Sequence, residues 1–224
     1  MEQSRKEYQK VIEYIRNQIA SNKLSIGSKL PTERELAEHL SISRNSTREA
    51  IRTMENMGML ESQQGSGNYL CGNMEKPISG MIDMMLLLHQ TSKSEICSFR
   101  RSLDQVICSS LLRTPFEEDT LNQIKEALDY GEKAITREQL SEADRLFHYS
   151  LINATQNQLW ISISNAIITI YREWIDEVIE KSDSKTMEAL ANSHRQIFLS
   201  TQNNDPASCK KWIDHHYDIV DSRI

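Results

Sequence analysis

The stretch Thr32-Glu33-Arg34-Glu35-Leu36-Ala37-Glu38-His39-Leu40-Ser41-Ile42-Ser43-Arg44-Asn45-Ser46-Thr47-Arg48-Glu49-Ala50-Ile51 contains two helix starts in close succession. Thr32 and Glu35 have the Thr-x-x-Glu form of a capping box, in which each side chain satisfies the other residue's orphan backbone N–H. A helix therefore opens there and runs through Leu36, Ala37 and Leu40. Ser41 interrupts it, Ser43 is the N-cap of a further helix from about 44 to 57, and Gly58 ends that helix. Two short helices joined by a tight turn form a helix-turn-helix.

Working outward, residues 8–20 set Val11, Ile12, Ile15 and Ile19 at helical spacing, opposite Lys10, Glu13, Arg16 and Asn17. That predicts an amphipathic first helix. Residues 24–31 carry Gly27 and Pro31 as a connection. After Gly58, residues 59–63 and 68–71 flank Gln64-Gly65-Ser66-Gly67, a small β-hairpin whose glycines supply turn conformations. Three helices and a hairpin make a winged helix-turn-helix, in which the start of the third helix enters the major groove of double-stranded DNA beside the wing. Ser43, Arg44, Asn45, Ser46 and Arg48 then stand at the groove-facing end as donors to bases and phosphates. Cations there oppose the helix dipole. A solvated basic face is the plain alternative to a DNA contact.

The 224 residues are 38 % hydrophobic and 26 % charged, with 7 Gly and 4 Pro, enough to fill two modest cores and poor in the breakers of a β-sandwich or a disordered chain. The net charge of −6 is uneven: residues 1–73 carry 10 Lys+Arg against 9 Asp+Glu, residues 74–224 carry 16 against 23. A near-neutral first part can still grip a polyanion through a few placed arginines. Met84-Met85-Leu86-Leu87-Leu88 is far short of the roughly 20 apolar residues that span a bilayer, and Glu2, Arg5, Lys6 and Glu7 open the chain, so no membrane partner and a cytoplasmic location are expected. Four cysteines without a CxxC spacing read as free thiols. Met54, Met57, Met59, Met81, Met84 and Met85 read as packing residues.

From residue 75 onward only helical patterns occur, near 78–90, 94–113 (stopped before Pro115), 117–134, 138–155, 157–181, 185–203 and 206–222. The expected fold is mainly α: a winged helix-turn-helix over 1–73, then an all-helical (six- or seven-helix) antiparallel bundle over 74–224. Asn203-Asn204-Asp205-Pro206 is the clearest break. His194 and His216 lie about ten residues to either side, so in an antiparallel hairpin both stand ~15 Å from its tip. His194 has Leu190, Ala191, Ile197 and Phe198 as helical neighbours, and His216 has Trp212, Ile213, Ile219 and Val220, which turns both inward. His215 is the poorer candidate, since Lys211 and Asp218 flank it. His148 follows Asp144 by one helical turn. Three imidazoles and one carboxylate suit Zn²⁺ first, then Ni²⁺, Mn²⁺ or Fe²⁺; hydrogen-bonded core histidines are the bland alternative.

The motifs Leu30-Pro31-Thr32-Glu33-Arg34-Glu35-Leu36-Ala37, Ile42-Ser43-Arg44-Asn45-Ser46-Thr47-Arg48-Glu49-Ala50, Gly58-Met59-Leu60 and Gly65-Ser66-Gly67 together resemble the DNA-binding domain of GntR-family bacterial transcription regulators. The resemblance implies DNA contacts from Arg34, Arg44, Arg48 and neighbouring polar side chains, with Gln64 and Gly65 at the wing tip. Ile26 departs from the proline often found before Gly27. Phe99-Arg100-Arg101-Ser102-Leu103-Asp104, Asp144-Arg145-Leu146-Phe147-His148, Asn153-Ala154-Thr155-Gln156-Asn157 and the His194 to His216 spacing resemble the FCD effector-binding domain of the FadR subgroup. That implies Asp144, His148, His194 and His216 as metal ligands and Arg100 facing an effector cavity; Asp104 stands where glutamate is more usual. The expected function is a non-enzymatic, homodimeric regulator of a palindromic operator, controlled by a small organic acid at a metal-containing cavity. A metallohydrolase or a direct metal sensor built on the same His/Asp site is the alternative.

Overall fold

A computed structural model describes residues 2–112 and 116–223. The chain divides into two compact units, Met1–Ile78 and Ser79–Ile224. The division falls inside a helix, where the sequence reading draws it at 73/74.

The first unit has helices α1 (Glu2–Ala20), α2 (Glu33–Leu40) and α3 (Arg44–Asn56), then strands β1 (Leu60–Gln63) and β2 (Gly67–Leu70). Thr32 and Glu35 form the capping box of α2: the Thr32 N–H donates to Glu35 Oε2 at 2.7 Å, and the Glu35 N–H donates to Thr32 Oγ1 at 3.3 Å. Ser41 ends α2 with a left-handed φ of 52°, and Ser43 caps α3 by accepting from the Ser46 N–H. Val11 and Ile15 of α1, Leu36 of α2, and Ala50, Ile51 and Met54 of α3 close a core completed by Leu60 and Leu70 of the hairpin. The antiparallel strands pair Leu60 with Leu70 and Gln63 with Gly67, which leaves Gln64 and Gly65 exposed at the tip. Gly58 joins α3 to the hairpin at φ +70°, and a Cβ there would lie 1.9 Å from the Asn73 carbonyl oxygen, so only glycine fits.

Helix α4 (Glu75–Leu87) contains the division. The second unit continues with α5 (Lys93–Leu111), α6 (Glu118–Lys133), α7 (Arg137–Asn153), α8 (Gln158–Lys181), α9 (Ser184–Gln202) and α10 (Pro206–Asp221). The stop assigned to Pro115 lies outside the described residues. Side-chain caps explain the starts: Ser92 with Glu95 for α5, Thr136 with Gln139 for α7, Asn157 for α8 and Asp183 for α9. The turn between α9 and α10 uses Asn204 at φ 52°, Asp205 as N-cap and Pro206 in the first turn. It folds the last two helices into a hairpin. Phe147, Leu151, Tyr171, Ile197, Ile213 and Tyr217 are among the side chains that fill the bundle core. Met54 is fully buried, but Met81, Met84 and Met85 are exposed rather than packed. No helix among the described residues is long and apolar enough to cross a membrane.

Candidate metal centre and nucleic-acid interface

In the first unit Arg44, Asn45 and Arg48 stand exposed on α3, and Arg34 stands exposed on α2. Arg52, which the sequence reading leaves out, extends the Arg44 and Arg48 row by one more turn and is also exposed. Arg34 lies 3.9 Å from Glu38, and Arg48 Nε donates to Glu33 Oε2 at 3.1 Å, joining α3 to α2. Ser46 corrects the sequence reading. It is buried, and its hydroxyl donates to Glu7 Oε2 at 3.0 Å, while the Ser43 N–H donates to the same oxygen at 3.2 Å. Ser46 is thus committed to holding α1 against the start of α3 and is not presented to a duplex. The signal was available, because the third position after an N-cap belongs to the cap.

In the second unit the inward turn expected of His194 and His216 is what the fold produces, and His148 is buried beside them. One ligand-type atom from each of these and from Asp144 lies within 4.8 Å of all the others. Asp144 Oδ1 is 3.6 Å from His148 Nε2 and 3.3 Å from His194 Nε2. Helix α7 supplies the first two residues through their i,i+4 spacing, and the α9–α10 hairpin brings His194 and His216 level, with ring centroids 4.6 Å apart. His215, next in sequence to a buried ligand candidate, is exposed and packs edge-on against Trp212.

The atoms around the cluster orient its rings. Ser193 Oγ donates its only proton to the Leu190 carbonyl at 2.6 Å, so toward His216 Nδ1, 3.1 Å away, it can only accept. That pairing favours the His216 tautomer that carries its proton on Nδ1 and its lone pair on Nε2. His148 Nδ1 lies 3.1 Å from Asp104 Oδ2, which also accepts from the Tyr217 hydroxyl at 2.6 Å. This is the carboxylate–histidine arrangement that orients a ligand ring from behind. Burial pushes the Asp144 carboxyl up, but His148 and His194 outweigh it and hold the group well below the usual carboxylate range. Burial lowers His194 against the opposing pull of Asp144, and burial reinforced by the His194 and His148 imidazoles drives His216 far down, which favours the neutral form of both. For His148, burial and Arg100 push down while Asp144 and Asp104 pull up more strongly, leaving it above the ordinary histidine value.

The residues fit a divalent ion. His148 Nε2 and His194 Nε2 are buried without an aligned hydrogen-bond partner. A buried polar atom left unpaired costs about 1–3 kcal/mol, so such nitrogens call for a partner. Donors bound at about 2.0–2.1 Å to one ion stand about 3 Å from each other, close to the two spacings from Asp144 Oδ1. Sequence reasoning missed Ser193 and Tyr217 and saw Asp104 only as a departure from glutamate. Asp104→Asn is expected to weaken metal binding about 10- to 100-fold while leaving helical content unchanged. Competition with a chromogenic chelator measures it, and unaltered affinity would remove Asp104 from the centre.

A cavity of about 550 Å³ opens beside the cluster, with Asp144 and His194 on its wall. Arg100 does not line it. That side chain is 4 % exposed, with its guanidinium 4.0 Å from Asp144 Oδ2 and 4.5 Å over the Tyr171 ring. The ion pair and the ring hold it on the carboxylate instead of turning it to the cavity.

Comparisons with known proteins agree with both halves. Residues 7–70 match the family described as bacterial regulatory proteins, gntR family, and residues 95–219 match the FCD domain. The HTH-type transcriptional regulator LutR of Bacillus subtilis (strain 168) is 28 % identical over 184 residues, covering 80 % of this chain and 84 % of that protein. The Uxu operon transcriptional regulator of Escherichia coli (strain K12) is 25 % identical over 224 residues, covering 97 % and 86 %. Among solved structures, Streptococcus agalactiae GntR shares the fold with a TM-score of 0.73 at 21 % identity, covering 97 % of this chain and 100 % of that one. With a reader of DNA in the first unit and an FCD domain over most of the second, the chain belongs to the GntR family of bacterial regulatory proteins and is a DNA-binding transcription regulator.

Proposed function

We propose that this regulator is a cytoplasmic homodimer that binds a palindromic operator and is switched by a small organic acid bound at the metal centre. The observation that carries this reading is the convergence of three imidazoles and Asp144, with Nε2 of His148 and of His194 lacking a hydrogen-bond partner, beside a cavity of ligand size. Asp144, His148, His194 and His216 would hold the ion, Zn²⁺ first among Zn²⁺, Ni²⁺, Mn²⁺ and Fe²⁺. When bound, the ion supplies a positive centre to which a carboxylate can coordinate. Arg100 keeps Asp144 in place through Oδ2 and adds a second positive charge beside the site.

At the other end of the chain, Arg44, Asn45 and Arg48 of α3 contact one half-site, Arg34 contacts the phosphate backbone, and Gln64 and Gly65 of the wing reach the flanking groove. Ser43 holds the start of α3 in position. A single such unit reads one half-site, and a two-fold pair of chains matches a palindrome. Acid binding alters operator affinity to the extent that it favours one arrangement of the paired units over another.

Gel-shift titration on promoter fragments from the protein's own genomic neighbourhood tests the reading. A panel of organic acids with Zn²⁺-loaded protein is expected to yield one that moves affinity about 5- to 150-fold. Affinity that follows Zn²⁺ alone, with no response to any acid, would make the ion itself the signal and sink the acid-responsive reading.

A further inference from the structure

The 550 Å³ cavity changes character along its depth. Of its polar lining side chains only Asp144 and His194 are sheltered, at the end that meets the cluster; Glu132, Ser184, Glu188, Asn192 and Arg195 are all exposed at the rim. Arg195 is already paired with Glu132. Between floor and rim the wall is hydrocarbon from five helices: Leu128 of α6, Leu140 of α7, Val178 of α8, Leu190 of α9 and Val220 of α10 all face it. The chamber is thus polar at its sheltered end, apolar between, and mixed at its mouth, where exposed Ile135 stands among the polar side chains.

That gradient selects a class of acid. Each hydroxyl carried along the middle of a ligand would give up its water partners and meet only carbon. A second carboxylate at the outer end would arrive beside Glu188, a like charge, with the nearby Arg195 already engaged. One carboxylate directed to the floor, where the cluster's cation offsets Asp144, satisfies the polar end. Resting on the acid-responsive reading above, we infer that the ligand is a monocarboxylic acid with an uncharged, unhydroxylated apolar body, such as a medium-chain alkanoate or an arylalkanoate. Its body lies against Leu128, Val178 and Leu190 and ends at the rim.

Calorimetry on the Zn²⁺-loaded full chain with butanoate, hexanoate and octanoate, set against glucuronate and citrate, tests this. Affinity is expected to rise about fourfold per added methylene, and octanoate to exceed butanoate about 250-fold. Glucuronate and citrate are expected to bind no tighter than butanoate. Ala191 is half-buried on the cavity wall; Ala191→Phe fills the space and is expected to flatten the chain-length series while metal stoichiometry stays unchanged. A flat series in the unsubstituted protein, or tighter binding of glucuronate or citrate, overturns the inference while leaving a metal-bound acid intact. A rising series that is the same with and without metal keeps the apolar body and removes the metal from the proposed function. No binding by any of the five acids overturns the inference, and the acid panel of the gel shift then decides the acid-responsive reading separately.

Discussion

Replacing Arg44 and Arg48 together by alanine is expected to lower specific operator affinity about a hundredfold or more, each arginine being worth about 1–3 kcal/mol at a base edge. Both side chains are exposed, and neither takes part in the Ser43 cap or the Leu36, Ala50 and Met54 core, so circular dichroism is expected to be unchanged. The two arginines differ in what they give up. Among the described residues Arg44 makes no ion pair that must be broken, whereas Arg48 must leave Glu33, so its net contribution is the difference between two anions. The double variant should also show a shallower dependence of log affinity on log salt, by about 0.9 for each phosphate that is no longer neutralised. Retained specific affinity in a gel shift at moderate salt would show that α3 does not read the operator through these arginines.

Removal of the metal is the second large effect. A ligand present at about a hundred times its dissociation constant stabilises the folded state by about 2.7 kcal/mol, which for a chain of this length is about 5–10 °C in Tm. A chelator is therefore expected to lower the Tm of the metal-loaded protein by that amount, and to do nothing to His148→Ala or His194→Gln, both of which should lose bound metal by elemental analysis. His148→Ala also strips the shared imidazole from between Asp104 and Asp144, two carboxylates that are nearly buried. It should be the less stable of the two variants. His194→Gln keeps a polar side chain at the cavity wall, so the ligand test does not depend on the harsher change. Normal metal content in both variants would refute the centre.

The same geometry gives metal binding a pH dependence. His148 is held above the ordinary histidine value, and an ion must displace its proton before it can bind. His194 and His216 are held below that value and present free lone pairs already. Acidification protonates a site that must be deprotonated to bind, so affinity is expected to fall with falling pH, beginning with His148. Isothermal titration in buffers of different ionisation enthalpy should detect the released proton.

The helices were legible because their ends are written locally. Thr32 with Glu35, Ser43, Asn157 and Pro206 each act within a few residues of themselves, and such signals survive in a sequence read without partners. The four clustered donors were legible for a related reason: i,i+4 spacing puts Asp144 and His148 on one face, and equal distances from a turn put His194 and His216 level. What surrounds them was not legible. The Tyr217 hydroxyl reaches Asp104 across 113 residues of chain, and no periodicity connects those two positions. The Ser46 error came from treating a helix start as a surface, when the hydroxyl there had an inward partner in Glu7. The methionines of α4 show that an apolar run in a sequence says nothing by itself about what covers it.

The turn that brings α9 back as α10 also works as a gauge. One residue inserted between Pro206 and His216 would advance the last histidine by about 1.5 Å and swing it about 100° around its helix axis, away from Asp144. Natural variation in length should therefore be tolerated at the wing tip and barred from the first turns of the final helix, however exposed some of those residues are.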